Sequence, residues 1–115
     1  MPRKEREKGK RGERWAVNEF KKHGFDAIRR GWHQCYASPS DDGADPPDVS
    51  APPFVCEVKN QKKANIRAAL KQAQKSAGPG DIPIAVVRDT DKPATVTMLF
   101  SDFLDFAQEW RERGE

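Results

Sequence analysis

Apolar residues along this chain recur with two different periods. From about Lys10 to His23, Ala16, Val17 and Phe20 fall at helical spacing and Gly24 follows as a stop, which predicts a helix. Glu13 precedes Ala16 and Val17 by three and four residues and Phe20 by seven, so it shares their inward face. Glu19 falls roughly 120° away at ~100° per residue, nearer Trp15 and the surface. "FDAIRR" reads as a short strand and "DVS" as another short strand or strand end. "FVCEVK" alternates, with Phe54, Cys56 and Val58 on one face and Val55, Glu57 and Lys59 on the other. Residues 63–77 carry the helical stripe Ile66, Ala69, Leu70, Ala73 and Ala77, and Gly78-Pro79-Gly80 ends it. "IPIAVVR" is nearly continuous and apolar, as in a central strand covered on both sides. "ATVTMLF" makes a last strand. Ser101 is placed to cap a final helix whose apolar face is Phe103, Phe106, Ala107 and Trp110. Asp102 near its start and Arg111 and Arg113 near its end suit the helix dipole.

The resulting order, αβββαββα, predicts a three-layer α/β domain with a central mixed β-sheet flanked by helices. The length, 115 residues, fits one core. Residues 9–115 are expected to form that domain, and residues 1–8 a basic disordered tail. No run approaches the ~20 apolar residues of a membrane span, and no apolar signal segment follows the basic start. The expected location is the cytoplasm, with no membrane partner. Two cysteines, Cys35 and Cys56, are too few and too irregularly spaced for a zinc site. They are expected as free thiols, with Cys56 in the core.

The charge distribution changes this picture more than the net +3 suggests. Residues 1–30 hold eleven Lys/Arg against five Asp/Glu, and residues 58–77 hold six Lys/Arg and no acid. Between them, residues 31–57 hold Asp41, Asp42, Asp45, Asp48 and Glu57 and no Lys or Arg. Basic segments around an acidic one suit a polyanion held over a metal site. Two solvated helix faces with an acidic loop between them would look the same.

Three carboxylates and a lysine sharpen the choice. Glu57 and Lys59 leave one strand face about 7 Å apart at ~3.3–3.4 Å per residue. Asp48 ends the preceding strand, and "SAPP" is short enough for a hairpin-like return that sets Asp48 beside Glu57. Glu13 arrives from the first helix. Hard cations such as Mg²⁺ take one or two carboxylates, waters and substrate phosphate, and a nearby lysine acts as a point charge on the phosphate. Without a cation, such a cluster repels itself. A Glu57–Lys59 or Asp48–Lys59 ion pair at a sheet edge is the plainer reading. It leaves the inward Glu13 and the proline-flanked Asp48 unexplained.

At these residues the chain resembles a known family. "PPD" followed by "EVK" is similar to the P-D…(D/E)-x-K signature of the PD-(D/E)XK nuclease superfamily. "KGKRGERWAVNEFKKHGFDAIRR" looks like the opening of the archaeal-type Holliday junction resolvases, and phage-encoded resolvase-like nucleases are similar too. The likeness covers most of residues 8–100. It implies a restriction-endonuclease-like fold and an Mg²⁺-dependent DNA endonuclease, with Mn²⁺ able to substitute. It also implies roles: Glu13 as the helix carboxylate, Asp48 and Glu57 as metal ligands, Lys59 as the catalytic lysine, and the Val58 carbonyl as a further ligand. DNA is the implied partner. Cutting a junction twice would need a homodimer, for which apolar faces near the last strand and Trp110 are available. The chain departs from the archaeal enzymes in its long loop, residues 31–46.

Arg67, Lys71 and Lys75, at i, i+4 and i+8, make a basic stripe. With Arg11, Arg14, Lys62 and Lys63 they are candidates to hold a DNA backbone. Gln61 would share the Glu57/Lys59 face if the strand continued, and could touch a phosphate or the attacking water. Trp32 and Tyr36 could stack on unpaired bases or pin the loop, His33 is a loop residue or a base, and Ser38 suits a turn. A non-catalytic nucleic-acid-binding module with a nuclease-like fold is the alternative, and an ion-paired domain without a nucleic-acid role is a third.

Overall fold

A computed structural model of the protein describes residues 3–29 and 47–114. Five strands and three helices follow in the expected order: α1 (Arg3–Lys22), β1 (Ile28–Arg29), β2 (Val49–Ala51), β3 (Phe54–Asn60), α2 (Ile66–Ser76), β4 (Ile82–Asp89), β5 (Lys92–Met98) and α3 (Phe100–Arg113). The strands form one open sheet in the order β1-β2-β3-β4-β5, parallel between β3 and β4 and antiparallel elsewhere. The parallel pair arises because α2 carries the chain back across the sheet between β3 and β4. The middle strand is therefore β3, and the apolar strand β4 lies beside it.

The alternation of β3 sorts the layers. Cys56 and Val58 join Ala16 and Val17 of α1, Val49, Ala51, Ile84 and Val86 in one core cluster. Val55 and Glu57 point the opposite way, to the side that α2 covers with its buried Ala69 and Ala73. The arrangement is an α/β fold with α1 on one face and α2 on the other, compatible with three layers. A tight hairpin through Pro52-Pro53 pairs Ala51 with Phe54 and Val49 with Cys56. One step beyond that register, Asp48 stands across from Glu57.

Several boundaries differ from the sequence expectation. The first helix starts at Arg3 and not near Lys10, so residues 3–8 are helical where a tail was expected. Lys, Arg and Glu are all good helix formers, and no proline interrupts the run. The second helix starts at Ile66 because Asn65 caps it: its side chain accepts from the Ala68 amide at 3.0 Å. Lys62 and Lys63 therefore precede the helix. Ser101 is not the cap of the third helix, which begins at Phe100 after Leu99 with no side-chain cap. That helix also buries none of its residues, so its apolar face is exposed and not part of the core. The candidates Trp32, His33, Cys35, Tyr36, Ser38, Asp41, Asp42 and Asp45 lie outside the described residues. Cys56 is a buried free thiol, as expected, and burial pushes it up to about 12. No described helix is long and apolar enough to cross a membrane.

Candidate active site

The register of the β2–β3 hairpin brings Asp48 to the start of its strand, where the Val58 amide donates to its Oδ2 at 3.0 Å. Glu57, only 5 % exposed, is the one buried charged residue among those described. Burial raises its pKa to about 8, and the charge of Asp48 and a side-chain hydrogen bond with it act in the same direction. A protonated Glu57 thus donates a hydrogen bond to Asp48. Lys59 opposes the rise and Glu13 adds to it.

The pair opens into a cavity of about 460 Å³ lined by Asp48, Glu57, Lys59, Gln61, Asn65 and Gln72, with Ala68 and Ala69 at its back. Lys59 is half-buried there. Among the described residues it forms no ion pair with Asp48 or Glu57, so the sheet-edge ion pair is not the arrangement found. Gln61 reaches the cavity from just beyond the end of β3, without the strand continuing.

Glu13 is held apart. It is half-buried on α1, and its Oε1 lies 3.5 Å from the Arg29 guanidinium of β1. Burial and then the charge of Asp48 raise its pKa, while Arg29 and Lys10 act against them. Glu13 therefore bears on the acidic pair through its charge. No three His, Cys, Asp or Glu side chains among the described residues converge on one point that could hold a metal ion. The two-carboxylate pair still fits Mg²⁺, which commonly takes one or two carboxylates and keeps several waters. A buried acid set against a half-buried one that repels it is the observation that favours such a cation.

The chain sets Glu13 against the sheet by a close backbone approach. A Cβ on Gly12 would stand 2.7 Å from the Asn60 Cβ, so only glycine allows α1 to lie this near the end of β3. Asn60 Nδ2 donates to the Lys8 carbonyl at 2.9 Å and ties the two elements together. Its Oδ1 is buried without a hydrogen-bond partner. Arg29, Asn60 and the cavity-lining Asn65 were missed in the sequence. Only Asn65 had a signal there, as an Asn just before a helical stripe.

None of the basic candidates lines the cavity. Arg11, Arg14, Lys62, Lys63, Arg67, Lys71 and Lys75 are all exposed. Arg67 and Lys71 each sit one residue, ~100° of helix, from the lining positions Ala68 and Gln72. Lys62 is 3.7 Å from Asp91 in an exposed ion pair. No family model matches this chain, and neither does any curated protein or solved structure.

Proposed function

We propose that the protein is a divalent-cation-dependent DNA endonuclease of the PD-(D/E)XK type, with a restriction-endonuclease-like fold. The observation that carries this reading is the hydrogen-bonded pair of half-buried Asp48 and buried Glu57, opening into a cavity that Lys59 lines. Asp48 and Glu57 would hold Mg²⁺ or Mn²⁺, with the Val58 carbonyl as a further ligand and Glu13 acting through water. The cation, when bound, neutralises phosphate charge and acidifies a water.

The chain's own groups do the rest. The Val58 amide fixes Asp48 by donating a hydrogen bond to its Oδ2. Glu57 must lose its proton before it can act as a ligand, so the site is favoured at alkaline pH. The Lys59 ammonium stabilises the added negative charge on the phosphate as water attacks phosphorus and the P–O bond breaks. Gln61 is within reach of the same cavity and can orient water or a phosphate oxygen. Arg67, Lys71 and Lys75, with Arg11, Arg14, Lys62 and Lys63, hold the DNA backbone in a salt-dependent way. Junction resolution is a narrower form of this reading, and a nucleic-acid-binding module without catalysis is its rival.

The test is cleavage of branched, linear duplex and single-stranded DNA with Mg²⁺, Mn²⁺ or EDTA. Cutting by wild type that EDTA abolishes is expected. Binding without cutting on every substrate supports the rival. A preference for four-way junctions would select the resolvase form.

A further inference from the structure

The residues of β3 that face α1 begin as an apolar stripe and end in an amide. Cys56 and Val58 belong to the core cluster and Phe54 packs against it. Asn60 is the next residue on that face, and the last of the middle strand. Its two chain neighbours, Lys59 and Gln61, both line the acidic cavity on the other side. Asn60 thus stands between α1 and the cavity.

Three features define its place there. A Cβ on Gly12 would meet the Asn60 Cβ at 2.7 Å. The Asn60 Nδ2 donates to the Lys8 carbonyl at 2.9 Å. Its Oδ1 is buried without a hydrogen-bond partner. A glycine offers no side chain to key against, so the Gly12 contact fixes how near α1 lies but not how far along the sheet it sits. The directed bond to Lys8 supplies that second constraint. The Lys8 carbonyl already accepts from the Gly12 amide within the helix, so it does not need Asn60 for its own sake. An orphaned buried acceptor lowers stability. An apolar side chain of the same shape would avoid that loss, so stability alone does not explain an amide at this position.

The explanation lies one residue beyond Gly12, at Glu13. Its far side is held by Arg29, 3.5 Å away in a partly buried ion pair. Glu13 is close enough to the acidic pair that its charge acts on Glu57 and the charge of Asp48 acts on it. A slip of α1 by one residue along its axis would move this carboxylate by about 1.5 Å relative to the pair.

We propose that Asn60 is a positioning residue. By tying α1 to the end of β3 it sets the distance from Glu13 to the Asp48–Glu57 pair, and with it how tightly the pair holds a divalent cation. The inference rests on the cation site described above and on Glu13 acting there through water. A merely structural tie would lower stability and leave cation affinity unchanged.

Mn²⁺ binding to the full chain, measured by titration calorimetry, tests this without any DNA. Asn60→Leu should keep the folded spectrum and unfolding midpoint of the wild type. It should bind Mn²⁺ roughly tenfold more weakly, the low end for groups that stand behind a metal's ligands. Asn60→Ala, which keeps the Cβ against Gly12, should lose a similar factor. Glu13→Gln should also weaken binding, and adding Asn60→Leu to it should weaken binding no further, because both act through one carboxylate. Wild-type affinity in both Asn60 variants overturns the proposal. So do losses that multiply in the double variant, loss of the folded spectrum in both Asn60 variants, or a wild type that binds no Mn²⁺. A wild type that binds Mn²⁺ but cuts no DNA sinks the nuclease reading alone, since the binding cycle involves no DNA.

Discussion

Glu57 and Trp110 break the ordinary rule of burial in opposite directions. A carboxyl group is 5 % exposed and an indole is 72 % exposed. Buried charge and exposed large apolar surface are the two departures that carry information about function. At Glu57 the sheet holds an ionisable group where an apolar residue would be more stable, which has a use if a cation joins it. At Trp110 the helix leaves apolar area in water, which has a use if a partner covers it. The first departure is enclosed between β2, β3 and α2. The second stands on an element with no buried residue. Substitutions at the two should therefore act differently, on chemistry and stability at Glu57 and on neither at Trp110.

The largest expected effect is on cleavage. Asp48→Asn or Lys59→Ala should slow it about 10²-fold or more, read with labelled DNA, while the folded spectrum is kept. Full activity in either variant would separate the cavity from the chemistry. Next comes Gly12→Ala. The added methyl meets Asn60 at 2.7 Å, and overpacking of this kind costs about 1–3 kcal/mol, measurable by urea unfolding. Unchanged stability would mean that α1 does not need this close approach.

Glu57→Gln should act in the opposite direction on stability. Between the ordinary carboxylate value of 4.5 and about 8, the native protein keeps a proton on Glu57 that the unfolded chain has released. Stability of the cation-free protein therefore falls as pH rises through that window, and levels off above it. Glu13 is shifted in the same direction. The neutral amide removes the Glu57 contribution, so the variant should gain roughly 1–2 kcal/mol at the alkaline end while losing cleavage. A melting temperature that rises with pH in the wild type without cations would contradict this. The smallest effect belongs to α3. Trp110→Glu should change stability by no more than about 0.5 kcal/mol, measured by chemical denaturation, because the indole is largely exposed.

Much of the cavity was legible in the sequence because a strand has a strict period of two. Alternation from Phe54 to Lys59 separated core from site, and the short Pro52-Pro53 return implied that Asp48 faces Glu57. The Glu13–Arg29 pair was not legible, since it joins a helix to a strand that local patterns do not relate. The Gly12–Asn60 approach joins residues far apart in the chain, and a glycine in a basic run gives no sign of what it touches. The exposure of α3 was hidden for another reason. Its stripe has the same period as that of a core helix, and periodicity does not say which molecule covers it. The start of α1 was missed because a run of Lys, Arg and Glu reads equally as a tail or as a helix.

The central claim is that buried Glu57 and half-buried Asp48 are kept together for a divalent cation. The direct measurement is the melting temperature with and without Mn²⁺, for wild type and Asp48→Asn, above pH 8 and at mildly acidic pH. Cation binding to the native state raises stability by mass action, and it requires the carboxylates to be ionised. The account predicts a rise in the wild type that is larger above pH 8 and absent in Asp48→Asn. No rise at either pH, or an equal rise in the variant, would contradict it.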